Sequence, residues 1–425
     1  FNEYDSINYF DISKEIISFW KKNKIFQKSI ETRPKNKIYP FYEGPPSANG
    51  LPGIHHVMAR TIKDIFCRYK TLKGYRVYRK GGWDTHGLPV ELQVEKKLGI
   101  TKDDIGDKIS VEDYNNECRK AVMQFKTKWE ELTESIGYWL DVNEAYITFD
   151  NNYIESIWWS LKKLYDNDLL YKGYTIQPYS PAAGTGLSSH ELNMPGAYKT
   201  IKDTSLTAQF KVLKNDKSKK IFGKKDCYFL AWTTTPWTLP ANNGLAVGKN
   251  IDYVLVETFN KYTEEIIQVV LAQNCINKFF DEKNKAKGES ISFDKKNIEY
   301  KILDSFKGKD FIGLDYEQLL PYVKAEKPAF TVVSGDFVTT EEGTGIVHIS
   351  LTFGSDDFNV SRKNNLPGIF VLNDKNEEVP IVNKSGKFVD EISDFAGLEV
   401  KKFSNSDDLT TDEKISIKFK KENKA

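Results

Sequence analysis

The stretch from Lys37 to Gly82 constrains the fold more than any other part of the chain. Lys37-Ile-Tyr-Pro-Phe-Tyr-Glu43 reads as a strand, and Gly44-Pro-Pro-Ser-Ala-Asn-Gly-Leu-Pro-Gly53 is too dense in turn formers for the strand to run through it. From His56 apolar residues recur at Met58, Ile62, Ile65, Phe66, Tyr69 and Leu72, a helical spacing that Gly74 ends. Tyr75-Arg-Val-Tyr-Arg79 alternates as a second strand and closes at Gly81-Gly82. Strand, loop, helix and strand in this order form a βαβ unit, and open parallel sheets bind ligands at the loop after the first strand.

Further along, Ser110 and Asp113 suit a capping box, and Cys118, Val122, Phe125, Trp129, Leu132 and Ile136 mark one long helix behind it. A second helix is expected over 152–167. The character changes after Met194-Pro195-Gly196: from about Thr200 to Glu399 short β runs such as Cys227-Tyr-Phe-Leu-Ala-Trp232 and Gly345-Ile-Val-His-Ile349 alternate with glycines and polar turns. The predicted class is α/β, a parallel-sheet domain over 1–195 with an inserted, mostly-β barrel over 196–400 and a return segment over 401–425. Lys414 to Ala425 reads as a lysine-rich, strand-like stretch. A start at Phe1 and an end without a closing feature suggest a piece of a longer protein.

At 425 residues the chain has room for two or three domains, and 28% charged with 13% aromatic residues rules out wholesale disorder. With 61 basic and 60 acidic side chains the net charge is +1, which removes overall basicity as an argument for nucleic-acid binding. Cys67, Cys118, Cys227 and Cys275 form no Cys-x-x-Cys pair, so a disulfide framework is not expected. Neither a membrane-spanning apolar run nor a secretory signal pattern is present, and a reducing, cytoplasmic setting is expected.

Two loops carry the chemistry. At Gly50-Leu-Pro-Gly-Ile-His-His-Val57 the unpaired N–H groups and dipole of a helix start favour an anion, with His55, His56 and Arg60 as further donors; the alternative is that the histidines only cap the helix. Arg68, Arg76 and Arg79 lie in the same unit, as phosphate forks or, for Arg68 and Arg76 especially, as a solvated face. The second loop, Gly81-Gly-Trp-Asp-Thr-His-Gly-Leu-Pro-Val-Glu91, offers the Asp84 carboxylate to an ammonium, unless that aspartate serves only its turn. Together the loops suit a ligand with phosphates at one end and an amine at the other.

Phe41-Tyr-Glu-Gly-Pro-Pro-Ser-Ala-Asn-Gly-Leu-Pro52, Gly82-Trp-Asp-Thr-His-Gly-Leu-Pro-Val-Glu91, Tyr153-Ile-Glu-Ser-Ile-Trp-Trp-Ser160, Trp232-Thr-Thr-Thr-Pro-Trp-Thr-Leu-Pro240 and Gly343-Thr-Gly-Ile-Val-His348 together resemble the isoleucyl-tRNA synthetases of class I. The resemblance implies a Rossmann-like catalytic domain that activates isoleucine with ATP and Mg2+, charges tRNA(Ile), and works as a cytoplasmic monomer. It places Gly53, His55 and His56 at ATP, with His56 stabilising the phosphates, Asp84 on the isoleucine ammonium and Pro46 beside its side chain. Gly-Ile-His-His departs from the family's His-Ile-Gly-His, since Gly53 stands for the first histidine and His55 for the glycine. Ser180 and Ala183 stand where relatives often carry zinc-binding cysteines, so no zinc is expected in this segment, and His190 is expected to be structural. The Lys-Met-Ser-Lys-Ser loop and the anticodon-binding helices are expected beyond residue 425.

The insert resembles the editing domain. A hydrophobic pocket rejects valine against isoleucine by only about 1–3 kcal/mol, a figure drawn from this same enzyme family, so a second site must hydrolyse the wrong ester. By resemblance it comprises Thr233, Thr234 and Thr235 with Asn242 nearby, His348 at the ribose end and Asp357 on the valine ammonium. Without the resemblance, plain β propensity would explain the threonines and a buried strand histidine His348. An editing-only deacylase is the alternative function. A dinucleotide oxidoreductase would need a Gly-x-Gly-x-x-Gly that the first loop lacks.

Overall fold

In the computed structural model residues 7–260, 262–288, 290–294, 296–325, 328–401 and 408–425 are described. The chain divides into two units, Phe1–Gly173 and Tyr174–Ala425.

In the first unit α1 (Tyr9–Lys22) and α2 (Ile25–Glu31) precede β1 (Ile38–Tyr42), α3 (Ile54–Leu72) and β2 (Arg76–Trp83). The expected βαβ unit forms: β1 and β2 pair in parallel from Ile38 against Arg76 to Tyr42 against Lys80. Helices α4 (Leu88–Leu98), α5 (Val111–Val122) and α6 (Lys126–Ser135) lead to β3 (Asp141–Ile147), which pairs in parallel with the other edge of β2, and α7 (Asn151–Asp166) follows. Three parallel strands bring the loops at their carboxyl ends, 43–53, 84–87 and 148–150, to one edge of the sheet.

Two features depart from the periodicity. The single long helix expected through 118–136 is broken between Val122 and Lys126. At the break the Phe125 N–H leaves the helical ladder and donates to the Ala48 carbonyl at 2.9 Å, in the loop after β1. The apolar spacing passes over the break because Met123, Phe125 and Trp129 all pack on the cluster of Ala48 and Trp83. In α3 the stripe of Met58, Ile62, Ile65, Phe66, Tyr69 and Leu72 is more than half exposed at every position, while Arg60, Cys67 and Thr71 are buried. Ile38, Pro40, Tyr42 and Tyr78 are exposed likewise, so one face of the sheet is bare at β1 and the start of β2.

The second unit opens with a small hairpin, β4 (Tyr179–Ser180) and β5 (Thr185–Gly186), and the single turn α8 (Ser189–Leu192). Then come β6 (Leu206–Lys211), α9 (Asp216–Phe222), β7 (Cys227–Thr233), β8 (Gly244–Val247), β9 (Asp252–Phe259), β10 (Ile266–Ala272), α10 (Ile276–Phe279), β11 (Lys301–Lys307), α11 (Gly308–Phe311), β12 (Thr331–Ser334) and β13 (Ile346–Ile349). They make a five-stranded sheet, β11-β9-β10-β7-β6, and a three-stranded one, β12-β8-β13. The unit is mostly β as expected, though neither sheet closes on itself among the described residues. The larger sheet is buried on both faces: Tyr253 and Leu255 point into the main core and the alternate Val254 and Val256 into a second cluster. Hence β9 and β10 read as continuous apolar runs rather than alternating ones.

The chain ends with α12 (Ser355–Lys363), a hairpin of β14 (Phe370–Leu372) and β15 (Glu378–Pro380), and α13 (Thr411–Lys421). The last is a correction, because Lys414–Ala425 was expected to be strand-like. Ile415, Ile417 and Phe419 alternate, but Ile415 and Phe419 are also one helical turn apart and both are fully buried, while Ile417 is 38% exposed. Thr410 and Glu413 form a capping box that starts the helix: the Thr410 N–H donates to the Glu413 carboxylate at 2.8 Å and the Glu413 N–H to the Thr410 hydroxyl at 3.2 Å.

Candidate functional site

Each unit contains a candidate site. In the first, the loops after β1 and β2 are tied directly, since the Asp84 N–H donates to the Pro46 carbonyl at 3.0 Å. Gly53 is the N-cap of α3 in an extended conformation. The His56 ring folds back so that Nδ1 accepts the Gly53 N–H at 2.9 Å, which leaves the proton of the neutral ring on Nε2. Burial first, then the charges of His55 and Arg60, lower the pKa of His56, so the ring is a neutral donor at pH 7. The His55 ring lies 3.7 Å from it, centroid to centroid. A Cβ on Gly53 would come within 2.9 Å of the His55 ring, so His55 occupies the space that a side chain at position 53 would need.

Sequence reasoning passed over the residue that organises this loop. Trp129, 2% exposed on α6, donates its Nε1–H to the Gly50 carbonyl at 2.8 Å and meets the His56 ring edge-on at 4.6 Å. The Arg60 guanidinium lies 5.1 Å from the Trp129 ring and donates to the Thr133 hydroxyl. The other arginines are committed inward as well. Arg79 and Arg68 both bind Asp64, at 2.8 and 2.6 Å, and Arg76 donates to the Arg33 carbonyl at 2.6 Å; Arg79 is buried, while Arg68 and Arg76 are half-exposed. Glu43, buried before the turn-rich loop, accepts from Lys63 at 2.7 Å and from the Tyr138 hydroxyl. Asp84 is half-buried and accepts the His86 N–H at 3.4 Å. Its loop is pinned by Thr148, whose hydroxyl accepts the Thr85 N–H at 3.0 Å and meets His86 Nδ1 at 3.0 Å.

The second site is a cavity of about 310 Å³ in the second unit, lined by Thr233, Thr234, Thr235, His348 and Asp357 among others. It brings together residues from β7, β13 and α12, far apart in the chain. Thr233 is buried, and its Oγ1 accepts the Thr235 N–H at 3.0 Å and lies 3.3 Å from the Thr235 hydroxyl; Thr234 is exposed on the wall. The glycines of Gly343-Thr-Gly345 both have positive φ, 65° and 73°, and a Cβ on Gly345 would overlap Ala272, so only glycine lets this loop close over β10.

Asp357 stands in the first turn of α12, where its Oδ2 accepts the Ser350 N–H at 3.0 Å. Burial raises its pKa to about 6 against that hydrogen bond. His348 is 7% exposed, its Nε2 lies 3.0 Å from the Thr238 hydroxyl, and burial lowers it to about 4, so it is neutral. Asn242 does not line the cavity: its Oδ1 accepts the Tyr316 hydroxyl at 2.7 Å and its Nδ2 donates to the Gly244 carbonyl at 2.9 Å, a core bracket for β8. Thr238, which joins His348 to the Thr235 carbonyl, is the neighbour that motif reading overlooked.

The zinc-like position is occupied by a turn in which Ser180 Oγ accepts the Ala183 N–H at 3.2 Å, and His190 is exposed. Among the described residues no group of three or more His, Cys, Asp or Glu is arranged to hold a metal ion, and no helix is long and apolar enough to cross a membrane.

The family described as tRNA synthetases class I (I, L, M and V) matches residues 15–308. The isoleucine–tRNA ligase of Cytophaga hutchinsonii is 57% identical over 98% of this chain and 38% of its own length. That of Bacteroides thetaiotaomicron is 56% identical over 91% of this chain and 34% of its own. The chain thus spans little more than a third of the relatives it matches. Among solved structures, the cytosolic leucyl-tRNA synthetase editing domain of P. knowlesi superposes with a TM-score of 0.30 at 18% identity, over 39% of this chain and 65% of that one.

Proposed function

Because the chain belongs to the class I tRNA synthetases of the I, L, M and V group, we propose that it carries the amino-acid-activating loops and the editing site of an isoleucine–tRNA ligase. In this reading the first unit binds ATP, with its Mg2+, at the start of α3. His56 donates Nε2–H to the phosphates while Trp129 and the Gly53 N–H hold its ring, Gly53 and His55 line the nucleotide side, Asp84 takes the isoleucine ammonium, and Pro46 stands beside the apolar side chain. A donor fixed in advance stabilises the charge that develops on the phosphates better than one that must reorient.

The 196–400 region is read as the inserted editing domain, its two sheets forming a barrel-like body, with 401–425 returning from it. Its cavity hydrolyses Val-tRNA(Ile). Asp357, ionised above pH 6, holds the valine ammonium, and the Thr234 and Thr235 hydroxyls orient the ester carbonyl and the attacking water. His348, neutral, forms the wall toward the ribose. The protein acts as a monomer in the cytoplasm on isoleucine, ATP and tRNA(Ile), and zinc has no role in this segment.

The observation that carries the reading is the convergence of Thr233–Thr235, His348 and Asp357 on one cavity. The test is deacylation of Val-tRNA(Ile) and Ile-tRNA(Ile) by the chain and by Asp357→Ala. The chain should hydrolyse the valine ester faster than the isoleucine ester, and Asp357→Ala should lose at least about tenfold in kcat/KM, roughly what one charge-assisted contact is worth. An unaffected variant would refute the placement of the ammonium. An editing-only deacylase predicts the same hydrolysis but no ATP binding by the first unit, which calorimetry with ATP distinguishes.

A further inference from the structure

Outside the cavity, a buried carboxylate grips the backbone just past its threonine wall. We propose that Asp412 is a positioning residue of the hydrolytic site, an inference that rests on the hydrolytic reading above. Asp412 is 1% exposed near the start of α13, and its Oδ1 accepts the Trp237 N–H at 2.7 Å. Its Oδ2 binds Lys401 Nζ at 2.5 Å, and Lys401 reaches Asp203 at 2.5 Å. Trp237 stands in the 3₁₀ turn Pro236–Ala241, two residues after the last cavity threonine.

From there the connection to the wall is a chain of hydrogen bonds. Thr238, next to Trp237, donates to the Thr235 carbonyl at 2.9 Å and meets His348 Nε2 at 3.0 Å. The Thr235 N–H is held in turn by Thr233. The Trp237 ring also meets Phe353 edge-on at 4.9 Å, in the turn that precedes α12 and Asp357. A single carboxylate therefore fixes the turn that bridges the threonines to the aspartate. A buried ion pair adds little net stability compared with apolar packing of the same volume, and geometry is what it can supply instead. Displacing a reacting group by about 1 Å can cost on the order of a hundredfold in rate, so an anchor two residues past the wall suffices to control it. Asp412 makes and breaks no bond in the reaction.

The experiment uses the full chain and Val-tRNA(Ile), with Asp412→Ala, Asp412→Asn, Thr234→Ala and the double variant of Asp412→Ala with Thr234→Ala. Asp412→Ala should lower the hydrolysis rate at least about tenfold with KM changed less than about twofold. Asp412→Asn, whose amide oxygen still accepts the Trp237 N–H, should stay within about threefold of the unaltered chain, and the Trp237 amide resonance should move in the alanine variant only. With Thr234 already truncated, Asp412→Ala should cost less than about threefold, because the two residues act as one unit. Wild-type rates in Asp412→Ala, equal losses for alanine and asparagine, or additive losses in the double variant would overturn the proposal. Should the alanine variant not fold, Asp412→Glu replaces it: the acceptor is then displaced by one methylene while Lys401 keeps its partner, and the same loss in rate at unchanged KM is required. If the unaltered chain hydrolyses no Val-tRNA, the hydrolytic reading itself fails and takes this proposal with it.

Discussion

Burial places the Asp357 carboxyl at about 6, which ties its charge to pH in the range where the reaction is run. An α-amino group titrates at about 8, so on the proposed reading Asp357 and the substrate ammonium would both be charged only between roughly pH 6 and pH 8, and hydrolysis should follow a bell with those limbs. The stability effect has the opposite sign from the usual carboxylate. The raised value means that the folded state favours the neutral acid; the cost of ionising it is absent below about pH 4, grows through pH 6 and stays constant above, at about 1–2 kcal/mol after allowance for solvent screening. Asp357→Asn should therefore raise the melting temperature at pH 8 and leave it unchanged at pH 4 while abolishing the pH 6 limb of hydrolysis, which calorimetry and a pH–rate profile check together. At the other site, Trp129→Phe keeps a ring against His56 but deletes the bond to the Gly50 carbonyl; losing one buried hydrogen bond, about 1 kcal/mol, should weaken ATP roughly fivefold by calorimetry. Asp84 could be singled out from its carboxylate in a turn, whereas Thr233 and His348 were singled out only through the family resemblance, since β propensity and strand burial explain them otherwise. Trp129, Thr148 and Thr238 were not, since each acts through a bond to a residue distant in sequence or to a backbone atom, and neither leaves a spacing to read.

At the scale of the element, β1, α3, β2, α7 and the β runs of the second unit stand where periodicity puts them, even though the apolar stripes of α3 and α7 meet no core. Both corrections come from hydrogen bonds that override the apolar pattern, one long-range and one local. At 123–125 a loop carbonyl takes an N–H out of the ladder, and at α13 a capping box turns an alternating sequence into a helix. The helix and the strand make different demands on three nearby residues. Phe419→Ala and Ile415→Ala should each destabilise by about 2–5 kcal/mol, whereas Ile417→Lys should cost less than about 1 kcal/mol; a strand would need all three on one face. Urea unfolding of the three variants distinguishes the two, and Thr410→Ala should remove a further ~1 kcal/mol through loss of the cap.

On the scale of the whole molecule, the two units differ in how far they satisfy themselves. The second buries a sheet on both faces and closes its core with α13. The first has three parallel strands, an architecture normally covered on both sides, with Ile38, Tyr42 and Tyr78 bare on one of them and the apolar stripe of α3 turned to solvent. Replacing Ile62 and Phe66 of that stripe with glutamate should leave the melting temperature by calorimetry unchanged, because both side chains are more than half exposed. The bare side of β1 and α3 also bears on how independent the two halves are. On the proposed reading the hydrolytic cavity lies in a unit that buries its own core, and the nucleotide loops in one whose sheet and helix leave apolar faces to solvent. By that reading the half that would destroy a wrong product is the half that satisfies itself.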